Sequence, residues 1–176
     1  MIITYQGGES FKISQGNLTL AVNPTSKVSA DVTLFTRERG DIADPPAPDR
    51  TGGRAGKSGF VIDGPGEYEV KEIFIKGFMD KTFLITFEGL KLCFLGSGEK
   101  QDEIEDIDIL FVPVDSYKRA VALEPAIMIP INYDKTSLAQ FLKEGGEKDV
   151  QQIEKFVVKK KDLEGKEGEI VVLKEE

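Results

Sequence analysis

Two arginines and an aspartate, Arg37, Arg39 and Asp41, recur at alternate positions directly after an apolar, β-branched run, Val32-Thr33-Leu34-Phe35-Thr36. On an extended backbone that spacing puts the three side chains on one side, at the end of a strand buried on both faces, which is where sites are built. Three other stretches carry residue types capable of chemistry. Residues 51–58, TGGRAGKS, come close to the phosphate-binding pattern GxxxxGK[ST], but Thr51 replaces the first glycine. The downstream GFVID reads as strand, so no helix N-terminus follows to complete an anion site, and the stretch reads as loop. Gly96-Ser97-Gly98 places a serine after a strand, yet a serine nucleophile needs a base. Cys93, in mid-strand, reads as a small core residue.

The absence of histidine restricts this chemistry more than any other number. It removes every Ser-His-Asp and Cys-His arrangement and every imidazole zinc site, and a single cysteine removes thiolate zinc sites as well. The basic residues Arg37, Arg39, Arg50, Arg54 and Lys57 alternate with Glu38, Asp41, Asp44 and Asp49, with no aromatic to stack a base, so nucleic acid is not expected as a partner.

The elements that must position these residues begin as short strands. Residues 2–5, 10–14 and 18–22 form a meander separated by Gly7-Gly8 and Gln15-Gly16-Asn17 and closed by Asn23-Pro24. The strand leading to Arg37 starts at Ala30 or Asp31. Residues 45–59 hold three prolines, four glycines and no large apolar residue, which predicts a disordered loop. Strands resume at 60–62, 67–70 and 73–76. A hairpin then joins residues 82–87 to 90–95 through Glu88-Gly89, with both arms apolar at nearly every position. The second half alternates: strand 107–112, helix 116–124 ended by Pro125, and strand 126–131. Next comes a helix capped by Asp134 or Thr136, with Leu138, Phe141 and Leu142 on one face and Gly145-Gly146 as its stop. A further helical turn around Val150 and Ile153 and terminal strands at 156–160 and 169–173 complete the expectation.

At 176 residues and 40% apolar composition the chain suits one domain, residues 1–176, with a real core. Its net charge of −8 disfavours nucleic acid and anionic membranes, and no apolar run approaches the ~20 residues of a membrane helix. MIITYQGGES is not a signal peptide, so the expected location is the cytoplasm, and the Asn17-Leu18-Thr19 sequon is incidental.

Several stretches, in order, resemble the metallo-β-lactamase superfamily, and within it the simple Zn-dependent hydrolase branch that includes the ascorbate-6-phosphate lactonases. GGESFKI is similar to that branch's GHSCFLI, and LAVNP to its strand ending in Asp-Pro. ADVTLFTRERGD sits where the family has AD-x-x-L-x-T-H-x-H-x-D-H, and GPGEYEV resembles the branch's PGEYEV. TFLITFEGLKLCFLGS is similar to its hairpin ending in Gly-Asp, IDILFVPV to IDVLLLPI, and LEPAIMIPINY to LKPKVVIPMHY. The resemblance covers residues 1–142 and implies an α+β fold, a four-layer αββα sandwich reduced in size.

The same resemblance locates a metal site and empties it of ligands. The family's first two ligand histidines fall on Arg37 and Arg39, the histidine after the aspartate on Ile42, the bridging aspartate on Ser97 and the last histidine on Asn132. A histidine expected within residues 77–82 is missing, and Asp41 alone survives. Arginine offers only donors and repels a cation, so the expectation is no metal and no cofactor. Either Arg37 or Arg39 is expected to pair with Asp41. The leading reading is a non-catalytic pseudo-hydrolase with a binding or structural role. One alternative is an anion-binding module that holds phosphate or carboxylate through Arg37, Arg39 and Asn132. Another is a divergent hydrolase with an oxygen-only Mg²⁺ or Ca²⁺ site drawn from Asp41, Asp44, Asp63 and Glu67. A protein partner and self-association are left open.

Overall fold

The computed structural model describes residues 1–26, 28–37, 59–98, 103–148 and 150–176. Two mixed sheets face each other. The first contains β1 (Ile2–Tyr5), β2 (Phe11–Gln15), β3 (Leu18–Val22), β4 (Val32–Leu34) and β5 (Phe60–Ile62), with β12 (Lys155–Val157) beside β1, in the order β12-β1-β2-β3-β4-β5. The second contains β6 (Gly66–Val70), β7 (Ile73–Gly77), β8 (Phe83–Phe87), β9 (Leu90–Phe94), β10 (Ile109–Pro113), β11 (Ile127–Ile131) and β13 (Glu169–Ile170). Its order is β13-β11-β10-β9-β8-β7-β6.

Period-two alternation fixes which residues meet between the sheets. In β1 and β2, Ile3, Tyr5, Phe11 and Ile13 are buried while Ile2 and Lys12 point outward and are exposed. In β8, Phe83, Ile85 and Phe87 are buried, and Leu84 and Thr86 on the other side are half-buried. By contrast β10 and β11 are buried at nearly every position, because both their faces are covered. Two helices supply that cover: α1 (Tyr117–Val121) and α2 (Lys135–Glu144). Ala120, Leu138, Phe141 and Leu142 pack there with Cys93, Leu110, Val112 and Met128 in a second core, distinct from the one between the sheets. Among the described residues no helix lies on the outer face of the first sheet.

Asp134 is the α2 cap, as expected. Its Oδ1 accepts the Thr136 and Ser137 amides, both at 2.8 Å, and the Ser137 hydroxyl accepts the Asp134 amide at 2.9 Å. These bonds to the Ser137 and Thr136 groups hold the Asp134 carboxyl below its ordinary range.

Three terminal expectations change. The segment around Val150 and Ile153 is not helical: Ile153 forms a parallel bridge with Leu173, its amide donating to Val172 O at 3.0 Å. The strand expected at 156–160 is β12, and Lys160–Leu163 is a 3₁₀ turn instead. That turn is held where the Lys160 ammonium meets both carboxylate oxygens of the buried Asp108 at 2.7 Å, a contact 52 residues apart in sequence. The strand expected at 169–173 shortens to β13, because beyond Val171, whose amide still bonds Met128 O, the chain leaves one sheet for the other. The loop foreseen at 45–59 lies outside the described residues except for Gly59.

Two outcomes follow for stability. Phe111→Ala, which empties the fully buried centre of the inter-sheet core, lowers the unfolding free energy by about 3–5 kcal/mol in urea titration. Asp134→Ala lowers the melting temperature at pH 7. Because the folded carboxyl titrates below the unfolded one, its contribution is present above the unfolded pKa of roughly 4 and disappears as pH falls through the folded value. Melting curves of parent and variant therefore converge toward pH 2.

Candidate functional site

The C-terminal ends of the parallel strands in both sheets lie at one end of the sandwich. The Asn132 amide, just after β11, donates to the carbonyl of Gly8, in the turn between β1 and β2, at 2.8 Å. Phe11 at the start of β2 pairs with Val22 at the end of β3, so the exits of β3 and β4 share this end with the exit of β11.

Asn23 organises the first sheet's share. It follows β3 in a left-handed conformation, φ 44°, which asparagine tolerates better than most residues, and it is fully buried. Its amide donates to Leu34 O at 2.8 Å. Its Nδ2 donates to Thr36 Oγ1 at 2.8 Å and to Glu9 O at 3.2 Å, while Oδ1 accepts the Thr36 amide at 3.0 Å. One side chain thus ties the 7–10 turn to the segment leaving β4. Phe35, buried beneath, donates its amide to Ile62 O at 2.8 Å. Arg37 emerges from this fixed base and is exposed, and among the described residues it has no hydrogen-bond or ion-pair partner.

Asp80 organises the second sheet's share. It lies in the turn between β7 and β8, where Lys81 has φ 64°. Its Oδ1 accepts the Thr82 amide at 3.0 Å and its Oδ2 the Thr82 hydroxyl at 2.9 Å. The Thr82 hydroxyl oxygen in turn accepts the Gly96 amide at 2.9 Å, and the Ser97 amide donates to Asp80 O at 3.2 Å. The glycines around Ser97 are required by this packing. A Cβ on Gly96 would lie 2.1 Å from Asp80 O and one on Gly98 2.2 Å from Asp80 Oδ2. From α1, Arg119 donates to Gly96 O at 3.0 Å. Asp80 is therefore a turn-forming carboxylate, and Ser97 is exposed beside it. Lys81, next to Asp80, donates to Asp63 O at 3.1 Å.

Of the positions singled out from sequence, Arg37, Ser97 and Asn132 lie at this end, and Asn132 is exposed with φ 54°. Arg39, Asp41, Ile42 and Asp44 fall outside the described residues, and so does the expected pairing with Asp41. The near-phosphate-loop segment 51–58 falls outside them too. Glu67 lies on the edge strand β6 and pairs with Lys76 at 3.5 Å. Cys93 is fully buried, and burial pushes its thiol up to about 12, which fits a core residue. Tyr133 reaches about 12 for the same reason, with its hydroxyl donating to Leu173 O at 2.8 Å. Neither group supplies a base at neutral pH.

Zinc chemistry requires about three soft or imidazole ligands with an open position. Among the described residues no three of His, Cys, Asp or Glu gather as a metal-binding group, and Asp80 accepts hydrogen bonds from Thr82. Together with a sequence free of histidine, these residues do not fit a zinc ion.

Asn23 and Asp80 escaped the sequence reading. In sequence Asn23 reads only as the close of the meander, and Asp80 falls in the 77–82 stretch that lacks the expected histidine. The Asp80-x-Thr82 spacing, typical of a side chain that bonds the backbone two residues on, was the available signal.

The fold and this end of it define a metallo-β-lactamase sandwich. The profile of the family described as Beta-lactamase superfamily domain matches residues 2–144, and the chain belongs to that superfamily. It is similar over 98% of both chains to a protein from Thermotoga maritima classed as a Zn-dependent hydrolase of the metallo-beta-lactamase superfamily, with 26% identity and a TM-score of 0.76. A protein from Parabacteroides distasonis classed as a metal-dependent hydrolase shares 22% identity, with 83% of this chain and 90% of that one covered and a TM-score of 0.56. A metallo hydrolase from the archaeon Ignicoccus hospitalis shares 16%, with 90% and 99% covered and a TM-score of 0.55. The last two likenesses are of fold. No curated protein matches the chain.

Removing the Asn23 side chain leaves the Thr36 amide and Glu9 carbonyl without their partner. Asn23→Ala therefore costs about 1–3 kcal/mol in urea titration, and proteolysis or hydrogen exchange shows the loosening first at residues 7–10 and 35–37.

Proposed function

We propose that this chain is a non-catalytic member of the metallo-β-lactamase superfamily, a pseudo-hydrolase that keeps the fold for a binding or structural role. The observation that carries the reading is chemical. The sequence has no imidazole, and the resemblance puts Arg37, Arg39, Ile42, Ser97 and Asn132 at the family's ligand positions. A guanidinium cannot ligate a cation, and replacing a neutral ligand by a positive charge makes the position repulsive to one. The charge of −8 speaks against nucleic acid and anionic membrane as partners, and no helix among the described residues is long and apolar enough to cross a membrane. The cytoplasm is the location proposed.

A second reading, an anion-binding module for phosphate or carboxylate, is favoured by the exposed Arg37, which has no partner among the described residues at the same end as Asn132. Arg39 belongs to that proposed site by its spacing from Arg37.

Elemental analysis of protein prepared without a histidine tag, combined with a phosphodiesterase and lactonase screen, tests the first reading. Metal well below one ion per chain and no turnover are expected. Stoichiometric metal with chelator-sensitive turnover overturns the reading and favours the carboxylate-only site. Thermal shift against inorganic phosphate tests the second. A ligand present at 100 times its dissociation constant stabilises by about 2.7 kcal/mol, and Arg37→Ala should abolish that gain.

A further inference from the structure

We infer that the C-terminal tail, residues 171–176, is a strap that positions the glycine turn and Asn132 against each other, so that the site end is set by residues beyond the matched family domain, which stops at residue 144. The tail crosses from one sheet to the other. The Val171 amide donates to Met128 O of β11 at 2.9 Å, the Lys174 amide to Ile153 O at 2.8 Å, and the Glu176 amide to Tyr5 O of β1 at 3.0 Å. It therefore holds the sequence neighbours of both partners of the Gly8–Asn132 contact. On the second sheet it holds Tyr133, next to Asn132, because the Tyr133 hydroxyl donates to Leu173 O at 2.8 Å. On the first sheet, Glu175 bridges in parallel to Tyr5, and its carboxylate lies against Gly7 so closely that a Cβ there would be 2.5 Å from Oε1.

Beneath the strap, the Tyr5 and Tyr133 rings stack with centroids 5.8 Å apart, one from each sheet. The Tyr5 hydroxyl donates to Gly8 O at 3.2 Å, the carbonyl that also takes the Asn132 amide at 2.8 Å. Gly8 O is thus the junction where the turn, β11 and the tail-held tyrosines converge. The φ of 91° at Gly7 and 60° at Gly8 allows the turn to present that carbonyl, and the empty α-position of Gly7 admits the Glu175 carboxylate. Burial raises both tyrosine hydroxyls, and the charge of Glu175 adds to each shift. The inference does not depend on whether the site binds a ligand. If the tail alters the affinity of a ligand at Asn132, linkage requires that the ligand act on the tail to the same extent.

Site-resolved hydrogen exchange on the otherwise intact chain decides the matter, with Glu175→Ala and a deletion of residues 174–176 as the two variants. The Asn132 amide is expected to exchange about tenfold faster in the deletion and several-fold faster in Glu175→Ala, while the amides of Ile85 and Leu110 change less than about twofold. Spectrophotometric titration of Glu175→Ala is expected to show tyrosine hydroxyls ionising at lower pH than in the parent. Equal acceleration of all three amides, or an unchanged Asn132 amide in Glu175→Ala, overturns the inference. Should the deletion fail to fold, Glu175→Ala alone carries the test, since its side chain is exposed and its loss is local.

Discussion

Phe94 and Phe111, from adjacent parallel strands of the second sheet, lie flat on one another with ring centroids 4.0 Å apart and planes inclined by 3°. Phe11 of the first sheet meets both edge-on, at 6.0 Å and 4.8 Å. Edge-to-face contacts of this kind add to the area that the rings already bury, and their geometry is specific. Because Phe11 opens β2 immediately after the glycine turn and Phe94 closes β9 just before Gly96, the cluster sits directly under the candidate site. The spacing of the two sheets there is fixed by three rings, and the glycine turn and the Gly96 turn lead directly from them.

Above the rings, the ends of the sheets are tied by hydrogen bonds. Asn23 joins the loops of the first sheet, Asp80 and Thr82 join those of the second, and Gly8 with Asn132 joins one sheet to the other. The Asn23 amide group and the Asp80 and Thr82 side-chain oxygens all have hydrogen-bond partners, which is what burial or half-burial demands. The superfamily's architecture is therefore present with its loops held by the protein's own donors and acceptors, consistent with the general separation between a fold and the chemistry grafted on it.

The residues beyond the matched domain complete the sandwich. β12 extends the first sheet, β13 the second, and the ion pair between Lys160 and the buried Asp108 fastens the connection between them to the base of β10. The tail then returns to the site end. The sandwich is closed on this side by the last part of the chain, whereas on the other side β5 and β6 are the edge strands of their sheets.

Much of this was legible in sequence where the physics is local. The hairpin at Glu88-Gly89, the Asp134 cap and the burial of Cys93 follow from turn composition, capping chemistry and apolar runs, all of which act within a few residues. The ordered series of motifs sufficed to identify the fold, and the absence of histidine sufficed to remove imidazole chemistry. Other features depended on partners far away in the chain. Ile153 reads as helical by its neighbours and is a bridge because Leu173 lies beside it. Asn23 reads as a turn residue and is a clamp because Thr36 and Glu9 come to it. Glu175 carries no local signal at all, and its place against Gly7 exists only once both sheets have stacked. Pattern and composition determined the elements and the chemistry that is excluded. Tertiary packing decided which polar groups are already spent, because a hydrogen-bond partner remote in sequence is invisible until the chain has folded.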